Sequence, residues 1–345
     1  MSRLEERYRR LLRLLPAAYR QEWEDDMVAA FLESMDTGDP ETTAYLADYG
    51  RPSLSEVASI VALAVRLRLA EASPRAYAWG QAVRLATLMA MLTHAVLVTA
   101  SIAVALWYSG KLPGLPAPPS DLVLTTPSSV WNTTWNLAGY AWLPAYTALV
   151  LGHRRVAQAV ALFAVVPPAI TTAVAQVAGD VPLSVSPWAM RLVDVLLLLA
   201  MAAFRHGGPP VSRRPWLLAL PTGIILVALP LFAVQAFAPA LRLLDWPGLW
   251  CVAVTVAMLV HVTVRVTRRR AGTLPWSLAF TLLAATALAL RTVTLPDHQD
   301  QAQRTTLTTI ASLEIVAVLA VGVPLAVLAI RALRQVPSTP GQVSA

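Results

Sequence analysis

The stretch LTTIASLEIVAVLAVGVPLAVLAI, residues 307–330, decides the fold class. At about 1.5 Å per residue it exceeds the roughly 30 Å hydrocarbon core of a bilayer, so as a helix it spans. Glu314 is its one ionisable residue. A carboxylate at that depth is costly unless it is paired, protonated or open to water, which marks it as a residue to locate.

Working outward, seven further apolar runs of near-spanning length occur at 83–107, 135–151, 156–178, 188–204, 216–238, 248–266 and 275–292. Composition agrees: 57% of the 345 residues are hydrophobic and 14% charged, with mean hydropathy +0.58. Soluble domains carry about 45–50% and about 25%. The expected fold is therefore all-α, a polytopic transmembrane bundle of about eight spans over 83–334.

Charge in the connectors orients it. GHRR at 152–155, RHGGPPVSRR at 205–214, RRRAG at 268–272 and the tail from RALR at 331–334 are basic and free of acids. The alternate connectors hold Asp121, Asp180, Asp245, Asp297 and Asp300. The positive-inside rule places the Arg-rich set in the cytoplasm, and an even span count puts both termini there. Trp107, Trp131, Trp135, Trp188, Trp246 and Trp250 would then mark the outer interface, with Trp79, Trp216 and Trp276 at the inner one. No secretory signal is expected, because the first apolar run begins near residue 83. The lipid bilayer is thus the first partner, and the expected location is a bacterial inner (plasma) membrane.

Residues 1–72 differ. They hold nine Arg and thirteen Asp or Glu, a formal charge of −4 in a chain of net +7. Leu4, Tyr8, Leu11, Leu12 and Leu15 recur at helical spacing, Pro16 marks a break, and Tyr19, Trp23, Met27 and Phe31 form a second stripe. TGDP at 37–40 reads as a turn. PSLSE at 52–56 reads as a helix start, with Ser53 capping and Glu56 completing a capping box. A small cytosolic bundle of three helices is expected, four if 41–49 adds a turn. An interfacial linker over 73–82, with Ser73-Pro74 starting the next helix, and a disordered tail over 335–345 complete the organisation.

The internal polar candidates are His94, Arg191, Asp194, His261, Arg265, Arg291 and Glu314. The three Arg lie near span ends, where long side chains snorkel. Asp194 and Glu314 both fall roughly 10 Å inside the outer edge. Arg191 and Asp194 are three apart on one helix face and can pair. Arg291 precedes the span of Glu314 and could reach it. His94 and His261 could each bond a backbone carbonyl or lie on a proton path. Three readings stay open for the carboxylates: a structural ion pair, a substrate or proton site in an outward-facing cavity, or a protonated Glu314.

No catalytic set stands out. There is no phosphate-binding Gly-rich loop, no zinc or magnesium motif, and the lone Cys251 excludes a disulfide framework. No cofactor and no direct nucleic-acid binding are expected. The outer loop over 108–134 is rich in Pro, Ser and Thr, and Asn132-Thr133-Thr134 matches a glycosylation acceptor only weakly.

The segment YRRLLRLLPAAYRQEWEDDMVAAFLES, residues 8–34, followed by GRPSLSEV at 50–57, resembles the short cytosolic domain that precedes membrane spans in many actinobacterial proteins. Similar prefixes occur in permease-like subunits and in membrane proteins associated with PadR-type regulators. The resemblance implies a signalling or export-associated protein whose residues 1–72 bind a cytosolic regulator or an ATPase subunit. Tyr19, Arg20, Trp23, Met27 and Phe31 are the partner-binding candidates. The alternative expectation is a transporter or permease subunit with an outer-leaflet cavity at Asp194 and Glu314.

Overall fold

The computed structural model describes residues 3–15, 17–35, 39, 45, 49–50, 52–68, 74–108, 137–179, 185–201, 204, 212–237, 245–268, 274–298 and 304–336. The 108–134 loop beyond Tyr108, with its Asn132 triplet, lies outside them. So do the 37–40 turn apart from Asp39, most of 41–49, and the tail beyond 336. The chain divides into two compact units, Met1–Gly80 and Gln81–Val336.

The amino-terminal unit holds α1 (Arg3–Leu12), α2 (Ala17–Ser34) and α3 (Leu54–Arg68). Its core joins Leu4, Tyr8, Leu12 and Leu15 of the first segment to Val28 and Phe31 of α2 and to Ile60 and Ala64 of α3. Tyr8 and Phe31 stack in parallel with centroids 4.0 Å apart. The capping box closes: the Ser53 N–H donates to Glu56 Oε2 at 2.7 Å, and the Glu56 N–H donates to Ser53 Oγ at 3.2 Å. Arg7 Nη1 donates to the Gly50 carbonyl at 2.5 Å, tying α1 to the approach to α3.

The second unit is entirely helical among the described residues. It comprises α4 (Pro74–Tyr108), a 3-10 turn (Leu137–Ala141), α5 (Trp142–Leu151) and α6 (Arg154–Val177). Then follow α7 (Ser186–Ala200), α8 (Arg213–Phe237), α9 (Trp246–Arg268), α10 (Leu274–Thr294), a 3-10 turn (Leu295–His298) and α11 (Arg304–Gln335). Pro74, Pro187, Pro215, Pro247 and Pro275 all sit in first turns, where the missing N–H is not needed and φ is already helical. Hydroxyls inside the apolar helices bond the carbonyl four residues back, as Thr93 does to Met89 and Thr255 to Cys251. They therefore add no unsatisfied donor where water is scarce.

Five helices, not eight, are long and apolar enough to cross a membrane among the described residues. They are Arg75–Val104, Arg154–Val177, Pro247–Val266, Leu274–Asp297 and Arg304–Gln335. The run expected at 135–151 is a 3-10 turn joined to a ten-residue helix, roughly 25 Å in all. The run expected at 188–204 gives a helix of 15 residues, roughly 22 Å. Both fall short of a bilayer core, the first because it opens as a 3-10 turn and the second because its helix ends at Ala200, features that hydropathy does not register. The run at 216–238 is the 25-residue α8, whose side chains from 228 onward lie outside the described set.

Outward faces are apolar. Leu162, Phe163, Ile170, Leu192, Leu196, Val256 and Leu313 are exposed, and only 22% of the apolar window of α9 and 28% of those of α6 and α11 is buried. Such a surface suits lipid rather than water, so the chain is a multi-span helical membrane protein. α4 and α10 are the interior helices, each 50% buried. Small residues set the packing distances: a Cβ on Gly322 of α11 would meet the Ala284 Cβ of α10 at 3.3 Å. Trp216 and Trp276 stack with centroids 6.2 Å apart. Trp107 and Trp250, expected as interface anchors, are instead buried at 2% exposure.

Candidate functional site

Two polar clusters occupy the interior of the second unit. The first is centred on Asp194, about two turns into α7 and 5% exposed. Arg191 Nη1 donates to Asp194 Oδ2 at 2.9 Å, the contact that a three-residue helical spacing allows. The other oxygen, Oδ1, lies 3.1 Å from His94 Nε2 of α4. His94 is 4% exposed, and its Nδ1 lies 2.9 Å from the carbonyl of Ala90 on its own helix. The Trp142 ring packs at 4.8 Å from the imidazole centroid, and Trp250 meets it edge-on at 5.5 Å. Aromatic walls and α-helical carbonyls thus fix the ring in one orientation.

A cavity of about 250 Å³ opens on this cluster. His94, Arg191 and Asp194 supply its charged lining, and Trp142, Pro168 and Met190 are among its apolar walls. The lining draws on α4, the turn before α5, α5, α6, α7 and α10.

The second cluster is centred on Arg291 of α10, which is 2% exposed and therefore does not snorkel as expected from its place near a span end. Its Nη1 donates to both oxygens of Asp245, at 2.9 and 2.7 Å. Its Nε lies 2.7 Å from Glu314 Oε2, a contact carried by charge rather than by an aligned hydrogen bond. Asp245 caps the start of α9: its Oδ1 also accepts the Gly248 N–H at 2.9 Å. Gly248 leaves room for the two carboxylates here. A Cβ at that position would come within 2.5 Å of Glu314 Oε1 and 2.9 Å of Asp245 Oδ1. Glu314 Oε1 is buried with no hydrogen-bond partner among the described residues. The sequence reading missed Asp245 and Gly248. The signal was present in Asp245-Trp246-Pro247-Gly248, a cap residue followed by a first-turn Pro.

Among the described residues, the lining of the cleft at Asp194 does not include Glu314. The cleft reaches Asp194, while Glu314 is packed against Arg291 and Gly248. His261 stands apart from both clusters: its Nε2 lies 3.2 Å from Ser277 Oγ on α10, to which Arg265 Nη1 also donates at 3.4 Å. Arg265 thus bonds a neighbouring helix rather than only snorkelling.

In the amino-terminal unit, Phe31 is core, and Tyr19 and Met27 pack against that core. Arg20 lies 4.0 Å from Glu24. Trp23 is exposed, with Tyr19 stacked beside it at 6.4 Å. Among the described residues no group of three His, Cys, Asp or Glu side chains could hold a metal ion.

Comparison with family models, with curated proteins and with solved structures finds no match to this chain. The resemblance of residues 8–34 and 50–57 rests on its motifs alone.

Proposed function

We propose that the membrane unit is permease-like and holds a small polar solute in the cleft at His94, Arg191 and Asp194. The observation that carries this reading is the cleft itself, about 250 Å³ of space with a buried carboxylate and a guanidinium on otherwise apolar walls. An ionisable group inside a membrane bundle is expensive, and one that lines a cavity marks a solute or ion path. Arg154 and Arg155 beside Gly152 support a cytoplasmic side for that end of the α5–α6 hairpin in a bacterial plasma membrane, and with it a cleft that opens outward. Met190→Cys, made in a Cys251→Ala background, tests this in intact cells. A membrane-impermeant maleimide should label Met190→Cys from outside. Labelling that requires permeabilised cells, or that never occurs, sinks the reading.

A second reading concerns the amino-terminal unit, which we propose recruits a cytosolic regulator or ATPase subunit of the membrane part. Trp23 is exposed on a face that also carries exposed Glu22, Asp25 and Asp26, a surface suited to a basic partner. The motif resemblance supports a signalling or export-associated role of this kind. Trp23→Ala in the full chain should deplete a specific protein that co-purifies in mild detergent. An unchanged set of co-purifying proteins counts against recruitment through this face.

A further inference from the structure

The cleft geometry fixes a proton count. His94 Nδ1 faces the Ala90 carbonyl at 2.9 Å, and a carbonyl oxygen only accepts, so Nδ1 carries hydrogen. The opposite nitrogen, Nε2, faces Asp194 Oδ1 at 3.1 Å. A neutral imidazole with its hydrogen on Nδ1 would turn a lone pair toward an ionised carboxylate, and that contact repels. It attracts only when one more proton lies between the two atoms, either on Nε2 or on Oδ1. Arg191 already occupies Oδ2, so the carboxylate cannot turn that oxygen to His94 without losing its cation.

We infer that His94 and Asp194 form a proton-binding site whose loading is linked to occupation of the cleft by a small organic anion. This deepens the solute reading above and rests on it for the anion alone. The described groups that line the cleft around the pair come from five helices. α7 contributes Arg191, α5 the Trp142 ring, α9 the Trp250 ring, α6 Ala164 and Pro168, and α10 Leu290. Arg291, next to Leu290, is engaged by Asp245 and Glu314. Arg191 is thus the charged group that the described residues set against the pair. With the proton on, pair and Arg191 together carry one positive charge; with it off, Arg191 and Asp194 cancel. The loaded cleft therefore attracts an anion that the unloaded cleft does not, and linkage requires that the anion in turn favour the loaded state.

The test uses the full chain in nanodiscs with ¹⁵N-labelled histidine rings, the His94 signals being those lost in His94→Asn. Across a pH series the ring should gain and lose one proton at Nε2 or its Asp194 partner while Nδ1 stays protonated throughout. Free histidine favours the other neutral tautomer, so the signature is specific. In Asp194→Asn the amide N–H can donate to Nε2, and the titration should disappear with Nδ1–H retained. Asp194→Ser serves as a second variant and should show the same loss. Added acetate should shift the wild-type titration to higher pH and leave both variants unmoved. A wild-type ring protonated at Nε2 alone, or the same titration in the Asp194 variants, overturns the proton site whatever the labelling of Met190→Cys shows. A titration as expected that acetate does not move overturns the anion linkage and upholds the proton site.

Discussion

Replacing Arg291 with Met removes a guanidinium that touches both Asp245 and Glu314, and the two carboxylates should not suffer equally. Asp245 is 30% exposed and retains the Gly248 N–H, so it can turn to water. Glu314 is 8% exposed and its Oε1 is already without a partner, so it is left as a buried charge. Removing one partner of a buried ion pair costs about 3–5 kcal/mol. At about 2–4 °C per kcal/mol, the scaling of domains of comparable length, that is a fall in Tm of roughly 6–20 °C. Glu314→Gln leaves Arg291 paired with Asp245 and should cost less, about 1.5–3 kcal/mol, the range for a charged hydrogen bond. The double variant Arg291→Met, Glu314→Gln should then be more stable than Arg291→Met alone, because the stranded charge is gone. A recovery of about 1–2 kcal/mol lies within the usual coupling of contacting groups. Intrinsic fluorescence during heating in mild detergent reads all three against wild type. Simple addition of the two single losses, or an Arg291→Met protein as stable as wild type, would refute the stranded-charge argument.

Two further outcomes concern the amino-terminal unit. Ser53→Ala removes one half of the capping box and should cost about 1 kcal/mol, read as faster amide exchange in the first turn of α3 with α10 unaffected. Burial, reinforced by the nearby Glu56 charge, raises the Tyr8 hydroxyl above its ordinary value of 10. The folded unit therefore holds that proton more tightly than the unfolded chain. Its contribution is complete below pH 10 and declines as pH rises toward the raised value. Circular dichroism between pH 9 and about 12 should show this loss in wild type and a flatter profile in Tyr8→Phe.

The helices themselves were legible from apolar periodicity, and the capping box from four letters, because both depend on neighbours in sequence. The Arg191–Asp194 contact was legible for the same reason, being a three-residue spacing on one face. The partner of His94 was not: 100 residues separate it from Asp194, and nothing local in α4 records which helix faces that ring. Asp245 was read as a connector charge because hydropathy stops at the apolar boundary, whereas the cap that makes it structural sits one residue outside. Trp23 fits its helical stripe by spacing yet faces out, the buried apolar residues of α2 being Val28 and Phe31. The span count went astray where length was inferred from apolarity alone. A 3-10 turn in one run and a helix end at Ala200 in the other shorten them without making them any less apolar.

Those two short helices have an architectural consequence. α5 with the 3-10 turn before it runs roughly 25 Å, against roughly 36 Å for its hairpin partner α6. Gly152, at φ +94°, makes the sharp reversal that aligns the two arms at one end and leaves the mismatch at the other. The cleft lies away from that reversal: Gly139 and Trp142 line it from the head of the short arm, Met190 to Asp194 from the first turns of α7, and Ala164 and Pro168 from the middle of α6. The wall it takes from the short arm is thus the junction of a 3-10 turn with an α-helix, Gly139 on one side and Trp142 on the other.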